Sequence, residues 1–284
     1  MLAENKKVHA LWIGKKITNL ELLTIKSFIS NGHEFNLWIY DKIETPLPSL
    51  VFLKDANEII PYEKVFSYKY SNQYGHGKGS YAGFSDIFRY ALLYKYGGWW
   101  VDMDVTCLKP LDFKTPFVFR KHHEFNVVGN IMKCPAKSEF MKDCYYEAIA
   151  TIDSNNKDWN KPIEILNKYI KKHSLEQYIF DFTNEDKWTI VSKMLYKDFS
   201  INQNYYAIHW VNEEWRRHKI NKNIALNNSL YFSLLKQYNI DTQKINFLRK
   251  IILRLKLTKL YSITLLVLKP KTLKIFIKNF FKRN

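Results

Sequence analysis

The chain has 284 residues, 46% of them hydrophobic and 16% aromatic, and a formal charge of +17. That length and apolar content suit one large α/β domain with an appendage and exclude extensive disorder. The charge is uneven: Asp241 is the last acidic residue and twelve Lys or Arg follow it, so the excess belongs to the tail and not to the body.

In chain order, Val8 to Gly14 predicts a buried strand ending at a glycine. Leu20 to Gly32 fits an amphipathic helix, and Phe35 to Asp41 a second strand. Pro46, Pro48 and Pro61 mark a loop-rich passage. Ser67 to Gly83 is polar and aromatic, with Gly75, Gly77 and Gly79 alternating; it lacks the Gly-Lys-Ser/Thr ending of a phosphate loop. It reads either as the lip of a pocket or as a plain surface loop.

Ser85 to Asp104 is the most informative stretch. Ser85 suits an N-cap, Asp86 the first helical turn, and Ile87, Tyr90, Ala91 and Tyr94 recur at helical spacing. Gly97 and Gly98 suit a left-handed turn, and Trp99, Trp100 and Val101 a strand. Asp86 and Arg89, three apart, share a helix face. Asp102 and Asp104, two apart at a strand end, are expected to point the same way, as two hard oxygen ligands for Mg²⁺ or Mn²⁺ with phosphate oxygens completing the shell. Alone, so short a pattern reads first as a local ion pair and two solvated aspartates. Further on, Val118 to Arg120 and Phe125 to Lys133 suggest strands, and Ser138 to Ile149 and Ile163 to Ile170 suggest helices. Tyr206 to Trp215 carries an Ala-Ile-His strand with a Trp soon after.

The run Ser-Asp-x-x-Arg, a Leu- and Tyr-bearing helix, Gly-Gly, an aromatic and Asp-x-Asp resembles the signature of glycosyltransferases with a sugar-binding Asp-x-Asp region. That group includes bacterial capsule and lipooligosaccharide transferases, α-1,4-galactosyltransferases and, more distantly, clostridial glucosylating toxins. The resemblance implies a GT-A type, Rossmann-like nucleotide-sugar-binding domain over residues 1–241. It implies that Asp86 and Arg89 contact the donor sugar and that Asp102 and Asp104 handle ribose and metal. By the same match, Trp12 stacks on the nucleotide base, with a core Trp as the plain alternative. His209 is implied as a metal or diphosphate contact, with Glu214 as a rival metal ligand, Trp215 as part of the nucleotide site, and a core His as the plain alternative for His209. The chain departs from the pattern twice: on the acceptor side, Asn160-Lys161-Pro162 stands where relatives often carry Thr-Gly-Pro, and in the late motif Glu214 stands where they often carry Ser before the final Trp. The implied reaction is transfer of a hexose, with retention, from a nucleotide sugar (a UDP-sugar by family habit) to a hydroxyl of a surface glycan or lipid-linked saccharide, with Mn²⁺ or Mg²⁺.

Residues 242–284 form the basic tail. Phe247 to Leu257 interleaves apolar and basic residues as a helix in a membrane interface does, and Phe276, Ile277, Phe280 and Phe281 repeat the pattern. An anionic membrane surface is the expected partner; a helical pair packed on the domain, or a dimer contact, is the alternative. Met1 to Val8 lacks the apolar core of a signal peptide, no uncharged run is long enough to span a bilayer, and Cys107, Cys134 and Cys144 have no metal or redox spacing. The expectation is a cytoplasmic protein, peripheral on the inner face of the membrane. Two rival functions remain. Asp102-Met103-Asp104-Val105-Thr106 matches the nucleophile motif of haloacid-dehalogenase-type phosphatases, but no later Asp-Asp or Gly-Asp follows. A basic nucleic-acid binder would explain the tail charge, but no binding module accompanies it and nucleic acid is not an expected partner.

Overall fold

The computed structural model describes residues 1–244 and 246–258. The chain is mixed α/β. A short helix α1 (Ala3–Lys6) leads into β1 (Lys7–Trp12), followed by α2 (Asn19–Ser30), β2 (Glu34–Ile39), β3 (Val51–Asp55), α3 (Ala82–Tyr96) and β4 (Gly98–Val101). Then come β5 (Val105–Cys107), β6 (Val118–His122), β7 (Asn126–Cys134), α4 (Glu139–Thr151), α5 (Lys161–Lys172) and β8 (Ile179–Phe180). The last elements are α6 (Trp188–Tyr196), β9 (Ala207–His209), α7 (Asn212–Arg217), α8 (Leu230–Gln237) and α9 (Phe247–Leu257).

The seven-stranded sheet has the order β3-β2-β1-β4-β7-β6-β8. Its β3-β2-β1-β4 half is parallel, and β7 runs antiparallel to both β4 and β6. Both faces are covered, which is why β1, β2 and β4 read as nearly unbroken apolar runs. Leu11, Trp38, Trp100 and Met132 pack with α3, α4 and α5. Val8, Phe35, Leu37, Trp99 and Ile131 pack with Ile25 and Phe28 of α2. The chain thus leaves β1 for β2 over one face and returns from β3 to β4 over the other. That reversal opens a crevice beyond the carboxyl ends of β1 and β4, where ligands of such sheets bind. The arrangement fits the GT-A-like expectation.

A third core joins α6, α7, α8 and α9 to Leu20 and Leu23 of α2. A two-stranded sheet of β5 and β9 connects it to the end of β4. Helix α9 lies past the boundary expected at residue 241, yet Leu257 is buried in this core and Leu253 packs against it. The described part of the tail is therefore docked on the domain. Residues 259–284, with Phe276, Ile277, Phe280 and Phe281, lie outside the described residues.

Three local expectations are corrected. Helix α3 starts at Ala82, a turn before Ser85, because Ser80 Oγ accepts from the Ala82 N–H (3.2 Å) and Phe84 is buried in the core. Ser85 is therefore not the cap. Strand β4 ends at Val101, so Asp102-Met103-Asp104 forms a turn and not a strand end. Strand β3 sits inside the proline-marked passage; it is an exposed edge strand and so carries no alternating apolar signal. The glycine turn has the positive φ expected, but Gly97, at φ 64° and ψ −160°, lies outside the left-handed helical region, and a Cβ there would collide with the Ala136 nitrogen.

Candidate active site

Ala82, Ser85, Asp86 and Arg89 lie at i, i+3, i+4 and i+7 of α3 and all line one large cavity. Arg89 is buried between two carboxylates: Nη1 is 3.0 Å from Asp86 Oδ1, and Nη2 is 3.0 Å from Asp102 Oδ1. Its guanidinium also lies over the Trp100 ring, 5.2 Å from the centroid, while Trp100 Nε1 donates to Asp102 Oδ1 (2.7 Å). Gly129 of β7 makes room for this, since a Cβ there would run into Arg89 Nη1. Burial pushes the Asp86 carboxyl up to about 6, against the pull of Arg89. Burial also raises Asp102, with Arg89 opposing and Asp104 adding to the rise.

Asp104 is held from the other end of the chain. Its Oδ2 accepts from the Asn212 N–H (2.6 Å) and faces His209 Nε2 at 3.2 Å. His209 Nδ1 is 2.8 Å from Asp186 Oδ1, and Asp186 takes a bidentate pair from Arg120 (2.6 and 2.7 Å). Burial alone would lower the His209 pKa, but Asp186 and Asp104 outweigh it and hold it at about 10. Burial works to raise Asp186 too, but His209 and Arg120 hold it well below the carboxylate range. The backbone of His209 is fixed by an amide clasp: its N–H donates to Asn184 Oδ1 (2.8 Å), and Asn184 Nδ2 donates back to its carbonyl (3.0 Å).

Several expected site residues are brought together and others are not. Trp12, Asp86, Arg89, Asp102, Asp104, His209 and Glu214 all line the cavity, whose volume is about 1170 Å³. His209 has both ring nitrogens facing carboxylates, Asp104 and Asp186. Glu214 has its two oxygens facing Arg217 (2.8 Å) and His218 (3.3 Å), at the end of α7 and just beyond it. Trp215 does not join the nucleotide site; it is buried in the third core, where its Nε1 donates to the Trp210 carbonyl. The phosphatase pattern also fails in space, since the Thr106 hydroxyl is fully buried and accepts from Trp210 Nε1.

Sequence reading missed Asp186, Arg120 and Asn130. Arg120 left little signal, because β6 also carries Lys121 and His122 and the sequence does not show which of the three is buried against an anion. Nothing local identifies Asp186 as that anion.

Three buried donors on cavity-lining residues have no partner among the described residues: Trp12 Nε1, Arg89 Nε and Asn130 Nδ2. Such donors suit a ligand rich in acceptor oxygens. Among the described residues, no group of three or more His, Cys, Asp or Glu is set to hold a metal. Two carboxylates remain, and their hydrogen bonds to described residues fall on Asp102 Oδ1 and Asp104 Oδ2. The other oxygen of each is left over, which fits a hard divalent ion whose shell is completed by diphosphate oxygens.

The far wall of the cavity is the glycine-rich loop. Gly75, Gly77 and Gly79 all have positive φ. The loop is tied to the segment after α4: the Lys69 N–H donates to the Ser154 carbonyl (2.8 Å), Gln73 Nε2 to Asp158 (2.8 Å) and the Trp159 N–H to Gln73 Oε1 (2.9 Å). Arg216 of α7 reaches it as well, donating to the Lys78 carbonyl (2.9 Å).

Residues 19–125 match the family model described as glycosyltransferase sugar-binding region containing DXD motif. The chain is accordingly a glycosyltransferase, with Asp86, Arg89, Asp102 and Asp104 inside the matched region and Trp12, Asn130, Asp186 and His209 outside it. Among solved structures, the chain is similar to one titled "PaToxG Glycosyltransferase", at 15% identity and a TM-score of 0.45, covering 59% of this chain and 68% of that one. It is also similar to the structure of a doubly substituted mutant described simply as a transferase, at 13% identity and a TM-score of 0.38, covering 60% of this chain and 85% of that one. A comparison with curated proteins finds no match.

Proposed function

We propose that the chain is a metal-dependent, retaining GT-A glycosyltransferase that moves a hexose from a nucleotide sugar, a UDP-hexose, to a hydroxyl of a surface-glycan or lipid-linked acceptor. One observation carries the reading: Asp86, Arg89, Asp102 and Asp104 face a single cavity with Trp12, at the carboxyl ends of β1 and β4. Trp12 offers a ring for the base and an unpartnered N–H. Asp86 and Arg89, locked together, accept and donate to sugar hydroxyls and orient the anomeric carbon. Asp102 and Asp104 would hold Mn²⁺ or Mg²⁺, which when bound supplies positive charge to the departing nucleotide diphosphate. His209 Nε2, 3.2 Å from Asp104 Oδ2, keeps that carboxylate in place, and the two carboxylates around the ring favour its charged form. Retention follows the resemblance, and no side chain is assigned as a base.

No helix among the described residues is long and apolar enough to cross a membrane. Helix α9 exposes Phe247, Leu248, Ile251 and Ile252 beside Arg249 and Lys250, which supports a peripheral contact with an anionic membrane and suits a lipid-linked acceptor on the cytoplasmic face.

The deciding experiment is a screen of UDP-, GDP- and CMP-sugars for release of free nucleotide, with and without Mn²⁺ or Mg²⁺. Metal-dependent release from a UDP-hexose is expected, falling by about 100-fold or more in Asp104→Asn. No release from any donor, with or without metal, would overturn the reading.

A further inference from the structure

The cavity is larger than the roughly 300–1,000 Å³ that serves one small ligand. Its carboxylate end has a stated role and its far wall has none. That wall carries an unbroken aromatic run: Tyr68 to Trp159, Trp159 to His76 and His76 to Tyr74 have ring centroids 6.0, 6.3 and 6.0 Å apart. All four residues line the cavity, as does Asn160, whose Nδ2 donates to the Tyr74 hydroxyl (3.0 Å).

The run has a fixed place relative to the chemistry. Tyr68 is set over the first turn of α3, where a Cβ on Gly83 would collide with its hydroxyl. The cavity-facing stripe of α3 then runs from Ala82 past Asp86 to Arg89, a distance of about 10 Å along the axis. A ligand on the wall therefore approaches Asp86 from the side opposite Arg89 and the Asp-x-Asp turn.

We propose that this wall is the acceptor subsite and that it takes a neutral pyranose ring against Trp159 and Tyr74. The inference rests on the glycosyltransferase reading and names the acceptor class for it. The C–H face of a pyranose is apolar and flat enough to pack on an aromatic ring, and its rim of hydroxyls needs neutral donors and acceptors. The wall supplies both: four rings, a phenol and an amide. Trp159, Tyr68 and Tyr74 are neutral rings, so packing against them needs no charge on the sugar. The loop is also held in advance by its own backbone hydrogen bonds, Gly79 N–H to the Tyr68 carbonyl (2.7 Å) and Asn72 N–H to the His76 carbonyl (2.7 Å), and by its ties to residues 154–159, which limits the ordering that accompanies binding.

The test is saturation-transfer NMR on the full chain with lactose, maltose and N,N′-diacetylchitobiose, with and without UDP. Transfer to the ring protons of at least one sugar is expected, and UDP should not displace it. Trp159→Ala should weaken that binding on the order of tenfold, and Trp159→Phe should restore part of it. If Trp159→Ala lowers the melting temperature enough to lose the fold, the exposed Tyr74→Ala decides. Absence of transfer to all three sugars, displacement by UDP, or unchanged binding in Trp159→Ala and Tyr74→Ala would each overturn the subsite. The donor screen fails separately: nucleotide release without saccharide binding sinks only the subsite, and saccharide binding without release sinks the enzyme reading and with it the acceptor role, leaving a saccharide site.

Discussion

His9 illustrates how a single side chain sets the pH behaviour of the sheet. It lies in β1 beside the Gly97-Gly98 turn, buried, with Nδ1 accepting from Trp38 Nε1 (3.2 Å). Burial, helped by Lys7 and Lys54, lowers its pKa to about 4. An unfolded histidine takes up its proton near 6.5, so between these values the unfolded state binds more protons than the folded one. The stability is complete above about pH 6.5 and falls as pH drops toward 4, by up to about 3 kcal/mol. Urea unfolding of the protein and of His9→Gln across that range should show the two curves converging as pH falls. A constant difference between them would remove His9 from the account. Asp186 acts in a lower window: its depressed pKa contributes stability that is lost only as pH falls below the ordinary carboxylate range.

At the scale of elements, the site depends on β7 passing close under α3. Gly129→Ala would push a methyl into Arg89 Nη1 and drive the guanidinium off Asp86 or Asp102. The expected result is a folded protein, destabilised by about 1–3 kcal/mol, with turnover at least tenfold lower. Turnover and melting temperature together check this, and full activity in the variant would mean that the Arg89 geometry is not needed. The helix, turn and strand from α3 to β4 were legible because their signals are local: a 3.6-residue period, two glycines and an aromatic strand. The start of α3 was misread because Ser85 is the better cap by type, whereas burial of Phe84 extends the helix a turn earlier. Strands β5, β8 and β9 have three residues or fewer and hold no period to detect. Asp186 was invisible because its partners Arg120 and His209 stand 66 and 23 positions away.

For the whole molecule, the question is how the enzyme meets its acceptor. Helix α9 is held to the domain by Leu253 and Leu257 and presents Phe247, Leu248, Ile251 and Ile252 outward. Truncation at Asp241 would strip Leu257 from the core, so the cleaner change is Ile251→Glu with Ile252→Glu. The full chain should float with anionic vesicles at low salt and much less with neutral ones, and the double variant should lose most of that binding, with each basic residue contributing about 1 kcal/mol. Equal flotation of protein and variant would refute membrane contact through this face. The grip on Asp104 has a further consequence, for the order in which the chain assembles. Asn212 reaches Asp104 across 108 positions and Trp210 reaches Thr106 across 104, and loops of that length close late because their entropy is lost before the contact forms. A polypeptide emerging from its N-terminus displays the whole helix-turn-strand signature long before residue 212 arrives. Until then it carries a recognisable motif whose second carboxylate is unheld, so folding itself acts as the switch that turns the signature into a catalyst.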